Sequence, residues 1–273
     1  QLSLLILLPW LLYYADQPWQ WVPLSILLGF VVFSFSVLLH EVVHKVVFEK
    51  DRPGLNYLLG FFYGAISGLS ATQFSRWHLD HHRELGDAEA DPKRFYLSPK
   101  QNKRWLKVLY ATPWLFFKYF RAAARAARTY EPELRRRIQI ERLVVITLHL
   151  TVLFVFMKID PLWAIRAYVI PIFFVFPFAF TLNRLGQHYI IDPENPAAWS
   201  TLMRPNFIWN WLFLWSSYHL EHHYLPGVPM YRLRPLNNAL MPFYQSQGIR
   251  AFSYGELIKL WIAKNHAPHT KPT

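Results

Sequence analysis

Eight of the twelve histidines in the chain fall into three short clusters, His40-Glu41-Val42-Val43-His44, His78-Leu79-Asp80-His81-His82 and His219-Leu220-Glu221-His222-His223. On a helix, residues three or four apart share a face, so HxxxH and HxxHH each aim two or three imidazoles at one point in space. Imidazole is a ligand for zinc, copper, iron and nickel, so the clusters establish a transition-metal site without naming the metal. Their number narrows it. A mononuclear zinc enzyme uses three protein ligands and keeps one position open, whereas eight histidines exceed even a filled octahedron around one ion. The pattern predicts two metals. His188, in Asn183-Arg184-Leu185-Gly186-Gln187-His188, is a ninth candidate.

The elements that must position these residues are apolar. With 53% hydrophobic residues, 18% aromatics and 17% charged, the chain reads as a membrane protein rather than a soluble enzyme. The absence of cysteine removes disulfides, thiolate zinc sites, iron–sulfur clusters and cysteine nucleophiles. Residues 21–39 carry no charge and match one hydrocarbon core as a helix. Residues 138–157 and 162–182 make two further spans, joined by the turn Lys158-Ile159-Asp160-Pro161. Residues 2–14 are apolar but short; the chain begins at Gln1, and this stretch is expected to be a span whose start is missing. A cleaved signal peptide is disfavoured by the lack of a basic leader and of a small-residue cleavage pattern.

Residues 55–74 are also apolar, yet as a single crossing they would put the first two histidine clusters on opposite faces of the membrane. They are therefore expected to be re-entrant or interfacial, as Gly60, Gly64 and Gly68 permit. Two crossings between His82 and His188 then return the chain to the same face. Between residues 83 and 142 there are fifteen Lys plus Arg against seven Asp plus Glu, which makes that face cytoplasmic by the positive-inside rule. Arg121, Arg125 and Arg128 form a stripe on an alanine-rich helix expected to lie along lipid headgroups. No recognition motif supports a nucleic-acid partner. The fold class expected is all-α integral membrane, with four transmembrane helices, interfacial or re-entrant helices and a histidine-rich cytoplasmic cap. Residues 1–273 form one domain, with 265–273, including His266 and His269, as a flexible tail. His149, inside a span, is expected to be a neutral imidazole hydrogen-bonded to a neighbouring helix.

In order and spacing, the three boxes resemble the signature of the integral-membrane fatty acid desaturase and hydroxylase superfamily: HxxxH or HxxxxH, then HxxHH, then HxxHH. The resemblance runs from His40 to about Pro229 and includes the paired late spans and the isolated histidine. It implies a non-haem diiron centre that takes dioxygen as co-substrate and oxidises an unactivated C–H bond of a lipid chain. It carries over His40, His44, His78, His81, His82, His188, His219, His222 and His223 as iron ligands. Some members place an Asn four residues before the isolated histidine; here that position is Arg184, and Asn183 lies about 140° around the helix from His188. Asn183 is kept as an outer partner of the site. Metal-bound histidines donate their second N–H to a carboxylate or carbonyl, and Asp80 and Glu221 stand in the boxes where they would accept it. Asp87, Asp91 and Asp192 are expected to cap helices or balance arginines.

Acyl-lipid or acyl-thioester desaturation is the first expectation, ahead of hydroxylation, carotenoid ketolation or decarboxylation of a fatty acid to a terminal alkene. The chain shows no dinucleotide fingerprint and no fused haem motif, so electrons are expected from a separate ferredoxin or cytochrome b5 type carrier with its reductase. A rival from another class is a membrane zinc protease, because the first box also reads HExxH with Glu41 as general base. That reading leaves both HxxHH clusters without a purpose. A metal transporter would carry ligands near mid-membrane, and a haem is too broad for imidazoles spaced i, i+3, i+4.

Overall fold

The computed structural model describes residues 1–271. These fold into helices α1 (Leu2–Tyr13), α2 (Pro18–Val43), α3 (Pro53–Ile66), α4 (Ala71–Arg83), α5 (Pro92–Leu97), α6 (Arg104–Leu109), α7 (Trp114–Ala127) and α8 (Pro132–Ile159). There follow α9 (Pro161–His188), α10 (Phe207–Leu212), α11 (His219–Tyr224), α12 (Leu233–Ser246) and α13 (Tyr254–Ile258). No sheet forms among the described residues; two isolated bridges, Ile190–Thr270 and Met203–Phe252, are the extent of β pairing.

Three helices, α2, α8 and α9, are long and apolar enough to cross a membrane. The fourth expected span, α1, has 12 residues, about 18 Å of helix, and falls short of a hydrocarbon core as it stands. Proline sets the starts: Pro18, Pro53, Pro132 and Pro161 each open a helix where no N–H is needed. The predicted turn between the late spans is an N-cap, Asp160 Oδ1 accepting from Leu162 N at 2.7 Å and Trp163 N at 3.2 Å. From Leu143 to Met157 the exposed surface of α8 is predominantly apolar, with Leu143, Leu150 and Phe154 among its outward residues, as a lipid-facing helix requires. α2 packs along the first half of α9, which is π-helical over Ile165–Val175 around Pro171. The two helices meet at Gly29, where a Cβ would lie 2.3 Å from Val175 Cβ. Phe30, Phe33, Phe176 and Phe213 fill the core on the histidine side of this contact.

Residues 55–74 do not form one crossing. α3 ends in a glycine stop: Gly68 takes φ +75°, Leu69 N donates to Gly64 O at 2.8 Å and Gly68 N to Ala65 O at 3.3 Å. Ser70 then caps α4. Glu141 of α8 fixes this break, accepting from Ser70 Oγ at 2.7 Å and Thr72 N at 3.0 Å, with its charge at the positive end of α4. His149 of α8 links α3 and α9, Nε2 to Ala65 O at 2.8 Å and Nδ1 to Tyr168 OH at 2.6 Å, the neighbouring-helix role expected of it.

The tail differs from expectation over its described part. Lys107 Nζ donates to His266 O at 2.7 Å, His269 N donates to Tyr189 O at 2.8 Å, and His269 Nε2 meets Ser98 Oγ at 2.6 Å. Backbone carbonyls and one half-buried imidazole thus strap residues 265–271 onto α6 and the end of α9; polarity and proline had suggested a free end. Residues 272 and 273 lie outside the described residues.

Candidate metal centre

Each histidine box sits at the end of an element anchored on apolar packing. His40 occupies the last turn of α2 and His44 its C-cap; His78, His81 and His82 lie in the second half of α4; His188 ends α9; the third box makes up most of α11. α11 is short and follows a strained turn, Leu214 and Trp215 having φ of +45° and +59°. That turn is held by Asn210, whose Oδ1 accepts from Ser217 Oγ at 2.8 Å and whose Nδ2 donates to Tyr218 OH at 3.0 Å.

The nine histidines converge in two groups: His40, His44, His78, His82 and His222 in one, and His81, His188, His219 and His223 in the other, with one ring nitrogen from each member within 4.8 Å of the others in its group. The two HxxHH boxes are used reciprocally. His78 and His82 go to the first group and His81 to the second, whereas His219 and His223 go to the second and His222 to the first. An i, i+4 pair thus serves one position while the intervening i+3 residue, rotated about 80° from the pair's mean direction, reaches the other.

The donors fit metal ions rather than a hydrogen-bonded cluster. In the second group the Nε2 atoms of His188, His219 and His223 lie 3.0–3.2 Å from one another, and His81 Nε2 is 3.0 Å from His188 Nε2. Neutral imidazole carries one proton, so three nitrogens facing a common centre cannot satisfy each other. A metal–nitrogen distance near 2.1 Å places adjacent ligands about 3 Å apart, which is this spacing. In the first group His44 Nε2 and His78 Nε2 are 2.6 Å apart, His222 and His82 Nε2 3.1 Å, and His40 Nε2 is buried with no hydrogen-bond partner. Burial lowers the pKa of His78, His81, His219, His222 and His223 well below the usual value, and takes His82 to about 3 and His44 to about 4. All therefore present lone pairs at neutral pH.

The outer ring nitrogens show which carboxylates serve the site. His81 Nδ1 donates to Asp91 Oδ2 at 2.8 Å, and His188 Nδ1 to Trp199 O at 3.2 Å. His78 Nδ1 meets Lys93 Nζ at 2.6 Å, a contact that needs a neutral amine when the imidazole donates; burial, reinforced by Arg184, pushes Lys93 well below its usual pKa. The expected roles of Asp80 and Glu221 are corrected. Asp80 points outward into ion pairs with Arg76 at 2.8 Å and Arg83 at 2.9 Å. Glu221 turns to α12, accepting from Asn237 Nδ2 at 2.5 Å and Tyr244 OH at 2.9 Å, and so holds α11 in place without touching an imidazole. Asn183 donates to Ser216 Oγ at 2.8 Å and accepts from Gln187 at 2.8 Å, on the wall of the cavity beside the histidines. Asp91 caps α5 as expected, and its second oxygen holds His81, a role its position nine residues past the second box did not signal.

Glu41 is anchored, its Oε2 accepting from Met230 N at 2.9 Å. It ties the first box to the segment after the third. Beside the groups lies an apolar cavity, walled by Phe33, Val37, Phe74 and Phe180 and bordered by His40, His219 and His222, so histidines of both groups face it.

Residues 17–255 match the model of the family described as fatty acid desaturase. Among curated proteins, the sphingolipid delta(4)-desaturase DES1 of Drosophila melanogaster is 26% identical over 238 residues, covering 85% of this chain and 70% of that protein. The human sphingolipid delta(4)-desaturase/C4-monooxygenase DES2 is 25% identical over 234 residues, covering 79% of this chain and 64% of that protein. A DES1-like sphingolipid delta(4)-desaturase of Arabidopsis thaliana is 26% identical over 243 residues, covering 86% and 67%. The chain thus spans about two thirds of the length of these relatives.

Proposed function

The chain belongs to the fatty acid desaturase family, a family of membrane di-iron oxidoreductases, and from that membership we propose that it removes two hydrogens from adjacent carbons of a lipid acyl chain. The observation that carries this reading is the five-and-four division of nine neutral imidazoles beside an apolar cavity. His40, His44, His78, His82 and His222 would hold one iron, and His81, His188, His219 and His223 the other. When bound, the iron pair supplies dioxygen activation with electrons from outside.

The chain's own residues do the rest. Asp91 and the Trp199 carbonyl fix the tautomers of His81 and His188 so that Nε2 faces inward. Glu41 and Glu221 lock the first and third boxes to the segments that follow the third. Phe33, Val37, Phe74 and Phe180 exclude water and hold an acyl chain against the histidines.

In the membrane, α1 joins α2, α8 and α9 as a fourth span, α3 with the start of α4 forms the re-entrant unit, and the whole is a single domain with its metals toward the cytoplasm. The basic surplus of residues 83–142 supports that orientation. It also supports docking of an acidic ferredoxin or cytochrome b5 type donor. Hydroxylation is the second reading, favoured by the double designation of the human relative as desaturase and C4-monooxygenase. The test is to supply iron-loaded protein with a reductase system and a lipid extract and to analyse products by mass spectrometry. Loss of two hydrogens supports desaturation, gain of one oxygen hydroxylation, and an unchanged lipid pool in protein with two irons bound overturns both.

A further inference from the structure

A guanidinium without a protein partner lies where two cavities meet. Arg184, on α9 one turn before His188, lines the cavity beside His40, His219 and His222, and also a second cavity, walled by Leu115, Leu185 and Trp261, that reaches His188. It is partly buried, and among the described residues no carboxylate stands within ion-pair distance of it and no group hydrogen-bonds it. Asp91, the acid whose field reaches it, has both oxygens committed, Oδ2 to His81 and Oδ1 to the N–H groups of Lys93 and Arg94.

A guanidinium is always charged and carries five N–H donors, which an anion entering the cavity can take up. Of the polar side chains beside it, Lys93 meets His78 and Asn183 is held by Ser216 and Gln187. Leu97 and Phe180, which like Arg184 border both cavities, flank it with apolar surface. The vacant donors match one small planar anion. Guanidinium–carboxylate pairing is the two-pronged contact such a fork makes best.

We propose that Arg184 binds the carboxylate of a free fatty acid whose chain lies in the cavity beside the histidines. This rests on the lipid-oxidising function proposed above and names its substrate class. Arg184 thereby sets both the identity of the substrate and its register against the two histidine groups.

The test is binding to purified metal-free protein in detergent, read by tryptophan fluorescence. A saturated fatty acid is compared with its methyl ester and its coenzyme A thioester, in the wild-type protein, Arg184→Gln and Arg184→Lys. The acid is expected to bind ten- to a hundredfold more tightly than the ester. That preference should vanish in Arg184→Gln and partly survive in Arg184→Lys. Equal wild-type affinity for acid and ester overturns the proposal without needing any variant. A preference for the thioester that depends on Arg184 overturns the carboxylate. If a neutral lipid is nonetheless oxidised by the iron-loaded protein, the general function stands and only this assignment falls; acid-selective binding without any oxidation fails the function instead.

Discussion

His81 and Asp91 are joined by a 2.8 Å hydrogen bond from Nδ1 to Oδ2, while the second oxygen of the same carboxylate caps α5. One side chain therefore orients an imidazole of the second group and starts a helix. Asp91→Ala should weaken metal retention in that group by about ten- to a hundredfold. It should also cost about 1 kcal/mol from the lost cap. Asp91→Asn keeps a capping oxygen but not the charge, so it should restore the stability and leave the metal defect. Chelator competition followed by thermal unfolding separates the two effects.

The reciprocal use of the HxxHH boxes predicts that single substitutions deplete different positions. His44→Ala removes a member of the five-histidine group and His188→Ala a member of the four-histidine group. Each should lower iron from two to about one per chain after mild chelation, and the smaller group should lose its ion more readily. Metal analysis by mass spectrometry checks this. Equal retention of two irons in His188→Ala would remove His188 from the ligand set.

Much of this arrangement was legible in the sequence because histidine spacing is local: i, i+3 and i+4 report a shared helical face without knowledge of the fold. The apolar runs gave α2, α8 and α9 for the same reason, and the parity of crossings gave the break between α3 and α4. What the sequence hid was long-range and directional. Asp80 and Asp91 are both acids near the second box, and only the path of the chain after α4 decides that Asp91 turns in while Asp80 meets Arg76 and Arg83. Glu221 sits inside a box, yet its partner is α12. The strap at 265–271 was hidden because carbonyl acceptors have no sequence signature.

Glu41 discriminates between metal chemistries. As a protease base its carboxylate would be indispensable, whereas here it accepts from Met230 N, which a glutamine oxygen also does. Glu41→Gln should retain lipid oxidation within about tenfold, and Glu41→Ala should lose more by freeing that segment. Turnover of both variants at equal iron content is the measurement.

His269 gives the strap a pH dependence. Burial, with Arg94 and Arg184 nearby, takes its pKa down to about 3, against about 6.5 for an exposed imidazole. The neutral form is the one held, so its contribution is complete above about pH 6.5 and is lost as the pH falls toward 3. Opening of residues 265–271, followed by hydrogen exchange corrected for intrinsic rates, should rise about tenfold per pH unit between 6 and 4. His269→Gln should flatten that slope while other regions keep theirs.

Gly86 links backbone conformation to the second histidine group. Its φ is +93°, and a Cβ there would lie 2.7 Å from the Trp199 ring, whose own carbonyl accepts from His188 Nδ1. Gly86→Ala therefore combines a left-handed backbone penalty of about 1 kcal/mol with displacement of the residue that orients His188. Gly248, at φ +63° with nothing within 4 Å of an added methyl, isolates the first effect. Gly248→Ala should lower thermal stability and leave iron binding intact. Gly86→Ala should lower both, with the loss confined to one iron per chain. Pairing it with Trp199→Ala relieves the clash and should recover stability, though not the full iron affinity, because the carbonyl that orients His188 then sits on a freer segment. Full recovery of both would show that the Trp199 ring affects the metal only through the clash, the backbone carbonyl of residue 199 keeping its bond to His188.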